Sequence, residues 1–211
     1  MEDILLTRTS ISALLLVAVV VWSAFLLVLG IQLTWDHAKP FSLTLAALTT
    51  SWWLFNKHLW NRWPCTMFGN PPDLNGTWRV ELKSSYKNPA GDAVRLASAY
   101  AVVRQTYSTF SIRLMTEESE SHLVASSIEQ NSDGTTHIYG VYQSDPSILL
   151  RSKVSEIHYG SFKYKVVGAP PSEMIGHYWT DRGTNGSIRF YERAAAWHDS
   201  FGSAEAARNK H

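Results

Sequence analysis

Residues 11–33 read ISALLLVAVVVWSAFLLVLGIQL, 23 positions without a charge and with only Ser, Gly and Gln as polar interruptions. The hydrocarbon core of a bilayer takes about 20 helical residues at 1.5 Å rise, so this run predicts a first transmembrane helix preceded by a short N-terminal segment, 1–10. A secretory signal peptide is the competing reading, but Glu2 and Asp3 spoil its basic n-region and no small-residue cleavage pattern precedes Trp35. Residues 34–40 predict a short loop. Residues 41–60, FSLTLAALTTSWWLFNKHLW, form a weaker second apolar run in which Ser42, Thr44, Thr49, Thr50 and Ser51 supply a partly polar face. Such hydroxyls bond to the preceding turn or to a packed helix, which favours a transmembrane hairpin; an amphipathic helix lying in the interface is the alternative. Trp52, Trp53, Trp60 and Trp63 suit a headgroup belt at the end of the second helix.

The period then changes from that of a helix to that of a strand. Residues 61–73 contain a Pro- and Gly-rich cluster and predict a linker. In 77–86, Trp78, Val80 and Leu82 alternate with Arg79, Glu81 and Lys83, the period of two expected of a half-buried strand. Further strands are predicted at 98–105, 107–116, 121–130, 135–143, 161–168, 174–180 and 186–191. In 107–116, Phe110, Ile112 and Leu114 oppose Ser111 and Arg113, and in 161–168 Phe162, Tyr164 and Val166 oppose Lys163, Lys165 and Val167. The NSDG tetrad ending at Gly134 marks a hairpin, because Asp and Gly tolerate positive φ. Eight short strands at close spacing predict a mainly antiparallel β-barrel over 74–193, a sandwich being the alternative that alternation alone leaves open. Leu74, Gly76 and Trp78 form an L-x-G-x-W opening of the kind in which an aromatic plugs one barrel end. Residues 194–211 read as a flexible or partly helical tail. The fold class is thus a membrane-anchored all-β protein, two transmembrane helices followed by an eight-stranded barrel.

Charge sharpens this division. Of 37 charged side chains, 7 lie in residues 1–63, where six of the nine Trp are also found. Arg8 precedes the first span, Lys39 alone lies between the spans, and Lys57 and Arg62 follow the second, which by the positive-inside rule puts both termini and the barrel in the cytoplasm. One cysteine, Cys65, excludes an intrachain disulfide. A formal net charge of +1 argues against binding a nucleic-acid duplex, so any anion site must be local.

No P-loop, G-x-G-x-x-G, H-E-x-x-H or C-x-x-C motif is present, so no catalytic role is expected. His58, His122, His137, His158, His177 and His198 lack ligand spacing, and no metal is expected. Three polar clusters interrupt the strands: Arg104, Gln105, Thr106 and Tyr107; Glu118 to His122; and Thr180, Asp181 and Arg182 in TDRGTNG. An arginine facing a cavity can bond two phosphate oxygens at once while tyrosines stack on bases. The same residues equally suit solvent-facing strand ends joined by hairpin turns.

With two N-terminal spans, the Pro-rich joint, L-x-G-x-W, RQTY, the ES-x-SH stretch, HYG at His158 and IGHYWTDRGTNG from Ile175, the chain resembles the two-transmembrane β-barrel effectors of bacterial CBASS anti-phage systems, also described as the CD-NTase-associated or SMODS-associated 2TM β-strand-rich effector domain. The resemblance covers about residues 8–193. Its most specific part is G-x-Y-x-T-D-R-x-T-x-G, carried by Gly176, Tyr178, Thr180, Asp181, Arg182, Thr184 and Gly186. The resemblance implies an inner-membrane protein, not an enzyme, whose cytoplasmic barrel binds a cyclic dinucleotide from a partner nucleotidyltransferase. Self-association and membrane disruption would follow, killing the infected cell. It implies no cofactor beyond the activating ligand. Arg104, Gln105, Thr106, Tyr107, Tyr178, Thr180, Asp181 and Arg182 are the ligand-binding candidates. Arg104 and Arg182 would serve as phosphate donors and Tyr107 and Tyr178 as stacking groups; Asp181 would orient Arg182 or accept from a base, or else fix the hairpin turn.

Two other classes fit the same chain. A membrane-anchored, lipocalin-like module for an apolar ligand predicts a cavity lined mainly by Phe, Leu and Val, with Arg104 pointing outward. A structural adaptor predicts a filled barrel with its function on the outer face.

Overall fold

The computed structural model of the chain describes residues 8–30, 35–62, 71–87, 93–95, 98–146 and 157–209. It comprises two compact units, Met1–Trp53 and Leu54–His211. The first contains α1, Arg8–Val28. Gly30 follows with φ of 70°, a left-handed conformation that glycine adopts without steric cost, so α1 stops short of the expected end at residue 33. Helix α2 spans Trp35–Leu54, absorbing most of the loop expected at 34–40. Pro40, the sixth residue of α2, lies inside the helix, which runs on to Leu54 even though a proline there forfeits one intrahelical hydrogen bond. The Thr49 hydroxyl donates to the Leu45 and Ala46 carbonyls at 2.9 and 3.1 Å, the expected use of a hydroxyl on an apolar helix. Among the described residues no helix is long and apolar enough to cross a membrane.

The second unit opens with a single π-helical turn, Phe55–Leu59, closed by the Trp60 N–H donating to the Phe55 carbonyl at 3.0 Å. Nine strands follow among the described residues: β1 (Gly76–Lys87), β2 (Ala93–Arg95), β3 (Ala99–Gln105), β4 (Phe110–Met115), β5 (Ser119–Gln130), β6 (Thr136–Pro146), β7 (His158–Val167), β8 (Glu173–Thr180) and β9 (Asn185–Ala194). All recorded pairings are antiparallel. Strands β1 and β3 to β9 pair in succession, and β9 returns to β1, closing an eight-stranded barrel rather than a sandwich. The extra strand, β2, lies in tandem with β3 along one edge of β1: Lys83 faces Arg95, and Thr77 faces Val102. Strand β7 starts at His158, three residues before the expected position, because Gly160 reads as a turn in sequence yet sits in the barrel wall.

Alternation sets the core. Trp78, Val80 and Leu82 of β1 and Phe162, Tyr164 and Val166 of β7 are buried inward, while Lys163 and Lys165 are exposed. Four inward rings each lie opposite a glycine on the adjacent strand: Phe162 and Gly140, Tyr142 and Gly160, Tyr164 and Gly176, Tyr178 and Gly186. An added Cβ would overlap ring atoms at Gly140 and Gly160, and a backbone carbonyl at Gly176 and Gly186. The pairing fits large rings into an eight-stranded barrel, whose interior is only wide enough for side chains or one small ligand.

One end of the barrel is closed. Trp78 and Leu74 are fully buried there, and the Trp78 indole N–H donates to the Leu74 carbonyl at 2.9 Å, as the L-x-G-x-W reading anticipated. The C-terminal segment is partly helical: it forms α3, Phe201–Arg208, started by a capping box at Ser200 and Ser203. Ala204 and Phe201 pack on Tyr100, Val102 and Met115, which point outward from β3 and β4. Those outward apolar residues explain why the helix is ordered: the barrel wall presents a hydrophobic strip, and an amphipathic helix too short to stand alone is stabilised by covering it.

Candidate functional site

At the end opposite Trp78 the barrel holds a cavity of about 410 Å³. Its deep wall is apolar and aromatic. Ile112 from β4, Phe162 and Tyr164 from β7, and Ile188 and Phe190 from β9 are buried there. The rings form a ladder: Tyr142 lies stacked 6.4 Å from Phe162, Phe162 lies nearly parallel to Tyr164 at 4.1 Å, and Tyr164 tilts against Phe190 at 5.0 Å. Burial raises the pKa of the Tyr142 and Tyr164 phenols well above the ordinary value, so both hydroxyls stay protonated into the alkaline range.

The rim is polar because the strand ends carry hydroxyls. Ser84, Thr116, Ser119, Ser121, Ser144, Thr180 and Thr184 all line it. Six of the seven are paired among themselves: Ser121 donates to Ser144 at 3.0 Å, the Thr116 and Ser119 hydroxyls lie 3.0 Å apart, and those of Thr180 and Thr184 lie 2.7 Å apart. A hydroxyl both donates and accepts, so each pair keeps lone pairs or a proton available for a guest. His122 and His158 add imidazoles, and His122 Nδ1 lies 3.5 Å from the Asp145 carboxylate. Among the described lining residues Arg182 is the one arginine and Glu118 the one carboxylate.

The structure divides the eight sequence-derived candidates. Tyr178, Thr180 and Arg182 line the cavity. Asp181 does not. Its carboxylate accepts from the Tyr159 N–H at 3.1 Å, and its own N–H donates to the Tyr159 carbonyl at 3.0 Å, extending the β7–β8 ladder past Thr180 and holding the turn that carries Arg182. Gly183, with φ of 74°, completes that turn.

Arg104, Gln105, Thr106 and Tyr107 lie at the closed end, away from the cavity. Arg104 points outward, stacked on Trp197 with its guanidinium carbon 5.3 Å from the ring centre and its Nη2 3.5 Å from the Asp199 carboxylate. Gln105 is buried and clamps the incoming chain, accepting from the Leu74 N–H at 2.9 Å and donating to the Pro72 carbonyl at 3.1 Å. Thr106 and Thr109 close the β3–β4 turn. Tyr107 meets Phe55 edge-on, ring centres 5.0 Å apart. Strand period explains the placement: in β3 the outward positions are Tyr100, Val102 and Arg104, so the register that buries Ala101, Val103 and Gln105 turns the guanidinium to solvent.

Sequence reasoning left Tyr142, Ser144 and His158 out of the site. The ES-x-SH and HYG clusters that contain Ser119, Ser121, His122 and His158 were visible, but only barrel closure places them with Arg182. An outward Arg104 is what the apolar-carrier reading required. The cavity lining is mixed by residue type, with more Ser, Thr, Tyr, His, Glu and Arg than aliphatic and Phe positions, while most of the surface it presents is apolar. Among the described residues no cluster of three metal-ligating side chains occurs.

A family model described as Cap15, cyclic dinucleotide receptor domain, matches residues 69–192, more than half of the chain and every residue that lines this cavity. No curated protein matches the chain.

Proposed function

The chain belongs to the Cap15 cyclic dinucleotide receptor domain family, and from that premise we propose that its barrel takes up a cyclic dinucleotide through the open rim as the sensing step of a CBASS effector. The observation that carries this reading is the composition of one cavity: an aromatic wall, a collar of hydroxyls and a single arginine, all within the family-matched segment. Its volume falls within the roughly 300–1,000 Å³ of small-ligand sites. Each part suits a part of such a ligand. Arg182 can present two N–H groups to one phosphodiester, a strong charge-assisted contact. Tyr142 and Tyr178 offer faces to bases, and the serine and threonine hydroxyls suit ribose hydroxyls and base edges. Asp181 acts on the backbone, as a positioning residue for the Arg182 turn.

The wider reading is that the protein is an inner-membrane effector and not an enzyme, with both termini and the barrel in the cytoplasm. The charge-free part of α1, together with α2, would anchor it, and the ligand would come from a partner nucleotidyltransferase. Ligand-driven self-association of the helices would then disrupt the membrane and end the infected cell. Support for the anchor comes from the apolar sequence and the distribution of positive charge; support for the ligand comes from the family and the cavity.

Calorimetric titration of the full-length protein in detergent with a panel of cyclic dinucleotides tests the sensing step. At least one should bind, and Arg182→Ala should weaken it roughly 10- to 100-fold, the cost of a lost charged hydrogen bond. Arg104→Ala should leave affinity within about 2-fold, as expected of an exposed ion pair. Silence across the panel, or a larger loss at Arg104 than at Arg182, would refute the assignment. The apolar-carrier reading retains two observations, the outward Arg104 and the mainly apolar cavity surface, and predicts that a long-chain fatty acid binds and displaces any nucleotide.

A further inference from the structure

The closed end of the barrel holds the segment by which the chain arrives from α2, and it does so with the residues that were candidates for ligand contact. Asn56 lies in the π-helical turn. Its backbone carbonyl accepts from the Tyr107 N–H at 3.0 Å, and its side-chain oxygen accepts from the Ser108 N–H at 2.9 Å. Two consecutive donors of the β3–β4 turn are thus satisfied by one residue some fifty positions earlier. Phe55 lies against the Tyr107 ring. A second clamp follows: Asn61 donates to the Asp73 carboxylate at 3.1 Å, whose other oxygen accepts from the N–H and side chain of Asn75. Asn75 in turn exchanges side-chain bonds with the backbone N–H and carbonyl of Gln105 at 2.8 and 3.1 Å.

We propose that this base is a coupling latch. The β3–β4 hairpin reports the state of the cavity to the segment 55–62, and Asn56 and Tyr107 are the positioning residues through which it does so. The path is short and continuous: β4 contributes Ile112 and Leu114 to the cavity wall and begins two residues after Ser108. A flexible joint would let the barrel fill without consequence for the helices. Here a shift of β4 that moves the turn must either carry Asn56 with it or break two backbone N–H bonds. A π-helical turn is a natural place for such a hinge, since its i→i+5 bond is a local departure from the α-helical ladder. The ligand-dependent half of this proposal rests on the sensing function above; the existence of the latch does not.

Hydrogen exchange on the full-length protein in lipid nanodiscs separates the two. Without ligand, the amides of Tyr107, Ser108 and residues 55–62 should be protected in the wild type. They should exchange about tenfold faster in the double variant Asn56→Ala, Tyr107→Ala. Equal exchange in both proteins overturns the latch whatever binds. With a cyclic dinucleotide that the calorimetric panel shows to bind, wild-type exchange at 55–62 should change and dye release from vesicles should follow. The double variant should bind within about 2-fold yet lose most of its dye release. Unchanged release with unchanged affinity overturns the coupling. An absence of any binding in the wild type counts against the sensing function, while the ligand-free exchange still decides the latch. Asn56→Asp combined with Tyr107→Ala, which puts back the side-chain acceptor that alanine removes, should restore protection at Ser108; if it behaves like the double alanine variant, the Asn56 side-chain hydrogen bond is not the cause.

Discussion

Gly160 and Gly176 both lie opposite an inward tyrosine, and the addition of one methyl group at each should have different consequences. At Gly160 the new Cβ would fall within 2.6 Å of Tyr142 Cε1 and closer still to Cζ and Oη, against the 3.5 to 4.0 Å at which carbon atoms rest. The obstacle is the far end of a side chain that borders the cavity, so the ring can swing by roughly 1 Å into open space. Overpacking of this kind costs about 1–3 kcal/mol, or about 3–9 °C in Tm for a domain of this size. The displaced ring then occupies ligand volume. Gly160→Ala should therefore fold and lose cyclic dinucleotide affinity. At Gly176 the new Cβ would strike the Lys163 carbonyl oxygen and approach the Tyr164 Cα at 2.8 Å. These atoms belong to the neighbouring strand's backbone, and moving them opens the β7–β8 ladder. Gly176→Ala should cost more than the upper end of that range and leave little folded protein. Thermal unfolding by near-UV circular dichroism and calorimetric titration read the two effects separately. A Gly176→Ala protein as stable as wild type, or a Gly160→Ala protein that binds ligand normally, would refute the account of how the rings are accommodated.

Tyr142 and Tyr164 should make the barrel sensitive to alkali. Their pKa values are raised above the ordinary 10.0 by burial, so the folded state keeps protons that the unfolded state releases. Their stabilising contribution is complete below pH 10 and is lost as pH rises through the folded values; absorbance titration should show two phenols that ionise only as the barrel unfolds, and Tyr164→Phe should remove part of the alkaline loss. Removal of residues 200–211 should uncover Tyr100, Val102 and Met115, lowering stability by about 3 kcal/mol or more and promoting aggregation, since each large apolar side chain exposed costs roughly 1.5–3 kcal/mol; a truncated protein with unchanged Tm would show that α3 is not part of the folded unit.

Much of the barrel was legible in the chain because strand alternation is a local signal. The inward sets Trp78, Val80, Leu82 and Phe162, Tyr164, Val166 follow from polarity alone, and the hairpin at Gly134, with φ of 81°, follows from NSDG. The site was legible only in part. Tyr178, Thr180 and Arg182, singled out through their motif, line the cavity, whereas Arg104 to Tyr107, of similar chemistry, were candidates for the same site and lie at the other end of the barrel. Two clusters of arginine, tyrosine and hydroxyls at strand ends look alike in sequence, and nothing local tells which end of a barrel is open. The glycines of the 176–186 motif had no assigned role; they prove to be the floor beneath Tyr164 and Tyr178, a pairing that exists only across strands.

The sequence by itself determined that an apolar N-terminal third precedes an antiparallel β domain, which faces of the strands are buried, and, through its motifs, the family. Those properties depend on the order of neighbouring side chains. Tertiary structure decided which polar clusters share a cavity, that α3 covers the outer wall, and that Gln105 and Tyr107 hold the incoming chain. Those depend on the closure of β9 onto β1, a contact between segments more than a hundred residues apart. The closure turns strand ends that are scattered in sequence into one rim around Arg182.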